Sequence, residues 1–126
     1  MELVKSVKVN LNGKDYIVGF PNVGQQMEIE SLKMSLTNNN YPDMARSGLR
    51  IHQYNLDLVD GLAYFSILIP SFRKEMKLES IMDMDAFVGK SMVQAFRKQF
   101  QPWYKAFVEE LHKGVFEDET KQETAA

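Results

Sequence analysis

The stretch Asp83–Gly114, DMDAFVGKSMVQAFRKQFQPWYKAFVEELHKG, constrains the fold of this chain more than any other. Met92, Phe96, Phe100, Trp103, Phe107 and Leu111 recur in it at steps of three or four residues. Only an α-helix puts all six on one side, since a strand alternates its faces at every residue. Burying a side chain of this size contributes about 1.5–3 kcal/mol, so the stripe needs a partner surface. Pro102 falls inside the helical pattern. It removes one backbone donor and predicts either a kink or two helices meeting at Gln101-Pro102. Ser80 or Asp83 can cap the start, and Gly114 after His112 and Lys113 ends it.

The opposite end of the chain reads as strand. Val7, Val9 and Leu11 alternate with Lys8 and Asn10, and Tyr16, Val18 and Phe20 alternate beyond Asn12-Gly13. An Asn-Gly pair between alternating runs predicts a β-hairpin with a type I′ turn, whose two central residues need positive φ. A lone hairpin is marginal in water, so its apolar face must pack on the helices.

Between these ends the pattern is helical. Asn22 and Gln25 have the spacing of a capping box, followed by the stripe Ile29, Leu32, Leu36. Asn38-Asn39-Asn40-Tyr41-Pro42 breaks that helix, and Pro42 with Asp43 restarts one that Gly48 interrupts. A longer helix over His52–Ile69 carries Leu58, Leu62, Phe65 and Ile69 on one face, with Tyr54, Val59, Ala63 and Ile67 widening it, and Pro70 ends it. Ser71–Met82 reads as a charged connection in which Met76 and Leu78 alternate with charges, as a short third strand or an extended loop. The fold class is therefore α+β: a hairpin over about 4–20, then a predominantly helical bundle of three to five helices over about 22–114, ending in a long C-terminal helix. We draw one globular domain, 1–116, and read the polar, acidic residues 117–126 as a loosely ordered tail.

Composition excludes several classes of function. With 126 residues, 44% hydrophobic and 25% charged, the chain has the balance of a soluble domain with a modest core. A net charge of −2 argues against a nucleic-acid binder held by a positive field. There is no cysteine for a thiolate nucleophile or a thiolate metal site. No apolar run approaches the roughly 20 residues that span a bilayer, and MELVKSVKVN lacks the apolar core of a signal peptide. A cytoplasmic protein is expected.

Chemistry-bearing motifs are missing. Gly89-Lys90-Ser91 lacks the glycine that a phosphate loop requires five residues earlier, and the serines have no nucleophile context. His52 and His112 have no carboxylate at ligand spacing. Asp57 and Asp60 share a helix face and could serve a small metal-dependent enzyme, but read better as its solvated side; Asp83 and Asp85 read as helix-start residues. We expect no enzyme, no cofactor and no metal. The expected role is protein binding through an exposed aromatic patch with adaptable methionines beside it: Tyr41, Tyr54, Phe72, Trp103 and Tyr104, with Met76, Met82 and Met84. An open hairpin edge would also allow self-association.

Two segments resemble phage proteins. VKVNLNGKDYIVGFPNVGQQMEIESL is similar to the start of small tail-assembly proteins of long-tailed bacteriophages, which open with a hairpin around Asn-Gly-Lys and a Phe-Pro step into a helical bundle. ILIPSFRKEMKLESIMDMD and FQPWYKAFVEEL resemble uncharacterised phage proteins encoded among virion-morphogenesis genes. The resemblance implies a tail-assembly chaperone whose helical part engages a tape-measure or tail-tube protein in the host cytoplasm. A permanent structural subunit of the virion is the alternative. The resemblance brings no catalytic residues with it, and the long aromatic final helix containing Pro102 departs from the chaperone pattern.

Overall fold

A computed structural model describes residues 3–76 and 84–115, apart from the side chains of Arg73 and Met76. Met82, Asp83, Leu78 and the expected tail over 117–126 lie outside the described residues. The chain folds as expected into a hairpin followed by a mainly helical body with a long C-terminal helix.

Strands β1 (Ser6–Leu11) and β2 (Lys14–Gly19) pair antiparallel, with Ser6 opposite Gly19 and Leu11 opposite Lys14. The turn is the expected one, with φ of 54° at Asn12 and 86° at Gly13. Val9 and Val18 are fully buried on its inner face, while Ile17 points outward. The outer edge of β1 is closed from the C-terminal helix: Asn10 N donates to Gln99 Oε1 at 2.7 Å and Asn12 N to Ser91 Oγ at 3.0 Å.

Helix α1 (Val23–Leu36) starts at the Asn22–Gln25 capping box, both reciprocal bonds of which are formed. Asn38 and Asn39 take left-handed backbone (φ 50° and 65°) and end it. Helix α2 (Tyr41–Arg46) carries Pro42 in its first turn. Helix α3 (Arg50–Leu68) is the hub, packing against α1, α2 and the elements that follow it. None of the helices in the described residues is long and apolar enough to cross a membrane.

The reading of Ser71 onward as an extended connection is corrected as far as Met76, because Pro70–Met76 form helix α4. Pro70 has no N–H to continue α3, yet its fixed φ suits a first helical turn, so one residue ends one helix and begins the next. Helix α4 sends Phe72 inward against Phe65 and Tyr16, at centroid distances of 6.2 Å in each case. Its outward Glu75 accepts from Lys14 Nζ at 2.6 Å and from the Tyr16 hydroxyl, fastening the hairpin to α4. Those two bonds hold the Glu75 carboxyl below its usual range. Burial, then Glu75, pushes the Tyr16 phenol up to about 12.

The C-terminal helix is continuous but changes pitch. Helix α5 (Ala86–Ala95) is capped by Asp85, whose carboxylate accepts from Phe87 N and Val88 N. A π-helical turn (Phe96–Phe100) follows, closed by Gln101 N donating to Phe96 O, and α6 (Gln101–His112) continues. Pro102 thus neither separates two helices nor stands in an unbroken α ladder. Its ring would collide with the carbonyl four residues back, and the wider turn before it absorbs the mismatch. The extra residue in that turn rotates the stripe. Phe96 and Phe100 stay buried against Phe65, whereas Trp103 and Phe107 swing onto opposite faces of Phe20, 4.5 and 4.4 Å away. Leu111, expected on the same stripe, is largely exposed.

Helices α3 and α5 approach closely at Gly61, where an added Cβ would stand 3.2 Å from Met92 Cγ and 3.5 Å from Phe96 Cβ. At Gly48, between α2 and α3, it would meet nothing within 4 Å. Gly61→Val is therefore expected to lose about 1–3 kcal/mol through overpacking. Gly48→Ala should stay within about 0.5 kcal/mol of the parent. Urea denaturation of the two variants checks the contrast.

Candidate functional site

Asp57 and Asp60 do not form the solvated side of their helix, as the sequence suggested. Asp57 is 4% exposed and the Asp60 side chain 17%. The physical reason is that α3 is enclosed by α1, α2 and the C-terminal helix, leaving it little wet face. Each carboxylate has instead acquired a cation from another element.

At Asp60 that cation is Lys33, itself only 6% exposed and carried on the buried face of α1, one turn after Ile29. Lys33 Nζ lies 3.7 Å from Asp60 Oδ1, 3.1 Å from Glu30 Oε1 and 3.3 Å from the Tyr64 hydroxyl. It also sits over the rings of Tyr64 and Tyr41, at 4.6 and 5.5 Å from their centroids. The Tyr41 hydroxyl donates to Asp60 at 2.7 Å. One ammonium is thus bracketed by two carboxylates and two phenol rings, which satisfies a charge that burial would otherwise make costly.

The electrostatics follow from burial. Asp60 is raised above its ordinary value by desolvation, against the opposing pull of Lys33 and Tyr41. Tyr64 is pushed up to about 12 by burial and then by Glu30 and Asp60. Burial also lifts Tyr41, assisted by Asp60, and Tyr104, assisted by Tyr64. All three phenols are neutral at physiological pH.

A groove opens beside this cluster. Its larger hollow, about 680 Å³, is walled by Tyr64, Phe96, Phe100, Pro102, Tyr104 and Val108, with Asp60 inside and Lys105 on the rim. A second hollow of about 230 Å³ continues it toward Ile29, Glu30, Leu111 and His112. Tyr64, Tyr104 and Val108 line both, so the two adjoin as one trough along α6, the larger half facing α3 and the smaller facing α1, with a carboxylate in each.

The residues expected to form one exposed aromatic patch do not gather there. Tyr41 and Tyr104 belong to the cluster and trough, half-buried. Tyr54 is exposed elsewhere on α3, and Trp103 is half-buried, its Nε1 donating to Val4 O at 2.6 Å. Met84 packs against the core. Phe72 is a correction: at 1% exposure it is a core residue, because α4 turns it inward. Met82 and the Met76 side chain lie outside the described residues. Sequence reasoning missed Lys33, Tyr64 and Val108. The i, i+4 pair Asp60 and Tyr64 on a helix otherwise rich in apolar residues was the available signal.

Of the two histidines, His52 Nδ1 lies 2.6 Å from Ser47 Oγ. Among the described residues, no three His, Asp or Glu side chains gather as metal ligands do. Compared with protein-family models, curated proteins and solved structures, the chain matches none.

Asp57 differs from Asp60 in having a poorer partner. Its Oδ2 stands 3.1 Å from Arg97 Nε, yet no hydrogen bond reaches that buried oxygen. Burial raises its pKa more than Arg97 lowers it. A carboxyl raised on folding binds its proton more tightly in the native state, so its ionisation subtracts stability as pH rises from the unfolded pKa, about 3.9, through the folded one. Asp57→Asn cannot ionise. Its stability relative to the parent should therefore increase between about pH 4 and pH 7. Urea midpoints across that range measure the difference, and a decrease would show that the Arg97 pair outweighs desolvation.

Proposed function

We propose that this chain is a non-enzymatic assembly protein of a bacteriophage, a tail-assembly chaperone that binds a tail morphogenesis protein in the host cytoplasm. The observation that supports this reading best is the trough along α6. Its volume of about 680 Å³ and its aromatic walls suit the insertion of side chains from a partner segment. The N-terminal hairpin with its Phe20-Pro21 step into α1, the pattern that resembles phage tail-assembly proteins, supports the same reading. The absence of catalysis is part of the proposal, supported by the occupation of both buried aspartates. Asp57 faces Arg97, and Asp60 faces Lys33 and Tyr41.

A permanent virion subunit is the second reading. Ile17 at 67% exposure and Phe87 at 77% favour it, because lasting assembly would cover such side chains.

Mass spectrometry of purified particles separates the two readings. A chaperone is absent from the finished particle, whereas a subunit appears in fixed copy number. Affinity purification of the tagged chain from infected cells should recover a tail or other virion protein. Recovery of none, with the chain monomeric, would overturn both.

A further inference from the structure

The trough has an electrical asymmetry that names the side chain it would take. Lys33 is shared by Asp60 and Glu30 and lies nearer the exposed Glu30 (3.1 Å) than the enclosed Asp60 (3.7 Å), so the three groups carry one excess negative charge. Asp60 reaches the larger hollow and Glu30 the smaller, on either side of the Tyr64–Tyr104 pair. The one lysine on the hollow's lining, Lys105, is 76% exposed at the rim and already 4.0 Å from Glu109. Solvent screens a charge at the rim far more than one beside Asp60. Apart from Gln101, the remaining walls are aromatic or aliphatic.

Resting on the assembly reading, we propose that the trough selects its partner by a basic side chain, an arginine presented from an otherwise apolar segment of the bound protein. The arginine stem lies along Pro102 and Val108, its guanidinium stacks beside Tyr64 and Tyr104, and its charge meets Asp60. A planar, weakly hydrated guanidinium fits this combination of π faces and a half-buried carboxylate better than a hydrated ammonium.

The test uses the full chain labelled with ¹⁵N and three alanine–leucine helical peptides that differ at one central position: arginine, citrulline or glutamate. Shifts at Tyr64, Tyr104 and Val108 report occupancy. The arginine peptide is expected to bind at least about tenfold tighter than the glutamate peptide, with citrulline between. Lys105→Glu, an exposed substitution that leaves the core untouched, should tighten the arginine peptide about three- to tenfold. Asp60→Asn should weaken it about tenfold or more, and Val108→Trp should block it. Equal affinity for the arginine and glutamate peptides, no binding of the arginine peptide at millimolar concentration, or weakening by Lys105→Glu would overturn the assignment. Because Lys105 is exposed, its result decides even if Asp60→Asn fails to fold. A virion protein captured equally well by the parent and Lys105→Glu chains would sink the trough assignment and leave the assembly reading standing. Arginine preference with no phage partner would do the reverse.

Discussion

A proline inside a long helix leaves the backbone one donor short and one ring too crowded, and much of this molecule depends on how that is absorbed. The π turn ahead of Pro102 widens the helix by one residue instead of breaking it. Rotation through that turn allows two jobs on one helix. Up to Phe100 the apolar stripe fills the core between α3 and the hairpin. Beyond it, Trp103 and Phe107 clasp Phe20 while Tyr104 meets Tyr64 at 5.1 Å. An unbroken α stripe would have continued along one line, and the trough beside Tyr104 would have a different wall.

The second organising feature is the enclosure of α3. A helix packed on several sides has few places for carboxylates, yet Asp57 and Asp60 lie on it. The molecule handles them unequally. Asp60 is met by an ammonium, a phenol donor and two ring faces, whereas Asp57 is left with a half-exposed guanidinium that is poorly aligned. Buried ion pairs seldom add much stability over an apolar core, because desolvation offsets the attraction. The Lys33–Asp60 group therefore reads as a device for fixing the geometry of the trough floor rather than as a source of stability.

Local chemistry made much of the fold legible in the sequence. The Asn12-Gly13 turn, the Asn22–Gln25 capping box, the asparagine break after α1 and the Asp85 cap all follow from bonds made within a few residues, and all are formed. The extent of α4 was not legible, because Pro70 supports two readings and the alternating charges after it imitate a strand. The trough was less legible still. It depends on which face of α3 meets α1, and a polar lysine and aspartate read as surface until that packing is known. Aromatic residues were recognisable as important, but sequence spacing could not tell Phe72 in the core from Tyr104 in the trough.

Phe20 held between Trp103 and Phe107, with the Trp103 indole reaching back to Val4, joins the hairpin segment to α6. During synthesis the hairpin emerges before the helices and has little of its own to hold it, since two strands alone are marginal. Its aromatic clasp and the side chains that close its edge lie far downstream, with Ser91 79 residues and Gln99 89 residues beyond their partners. The nascent chain must therefore carry an unsecured hairpin until α5 and α6 have left the ribosome. Any chain interrupted before α6 would expose that hairpin to whatever strand it met.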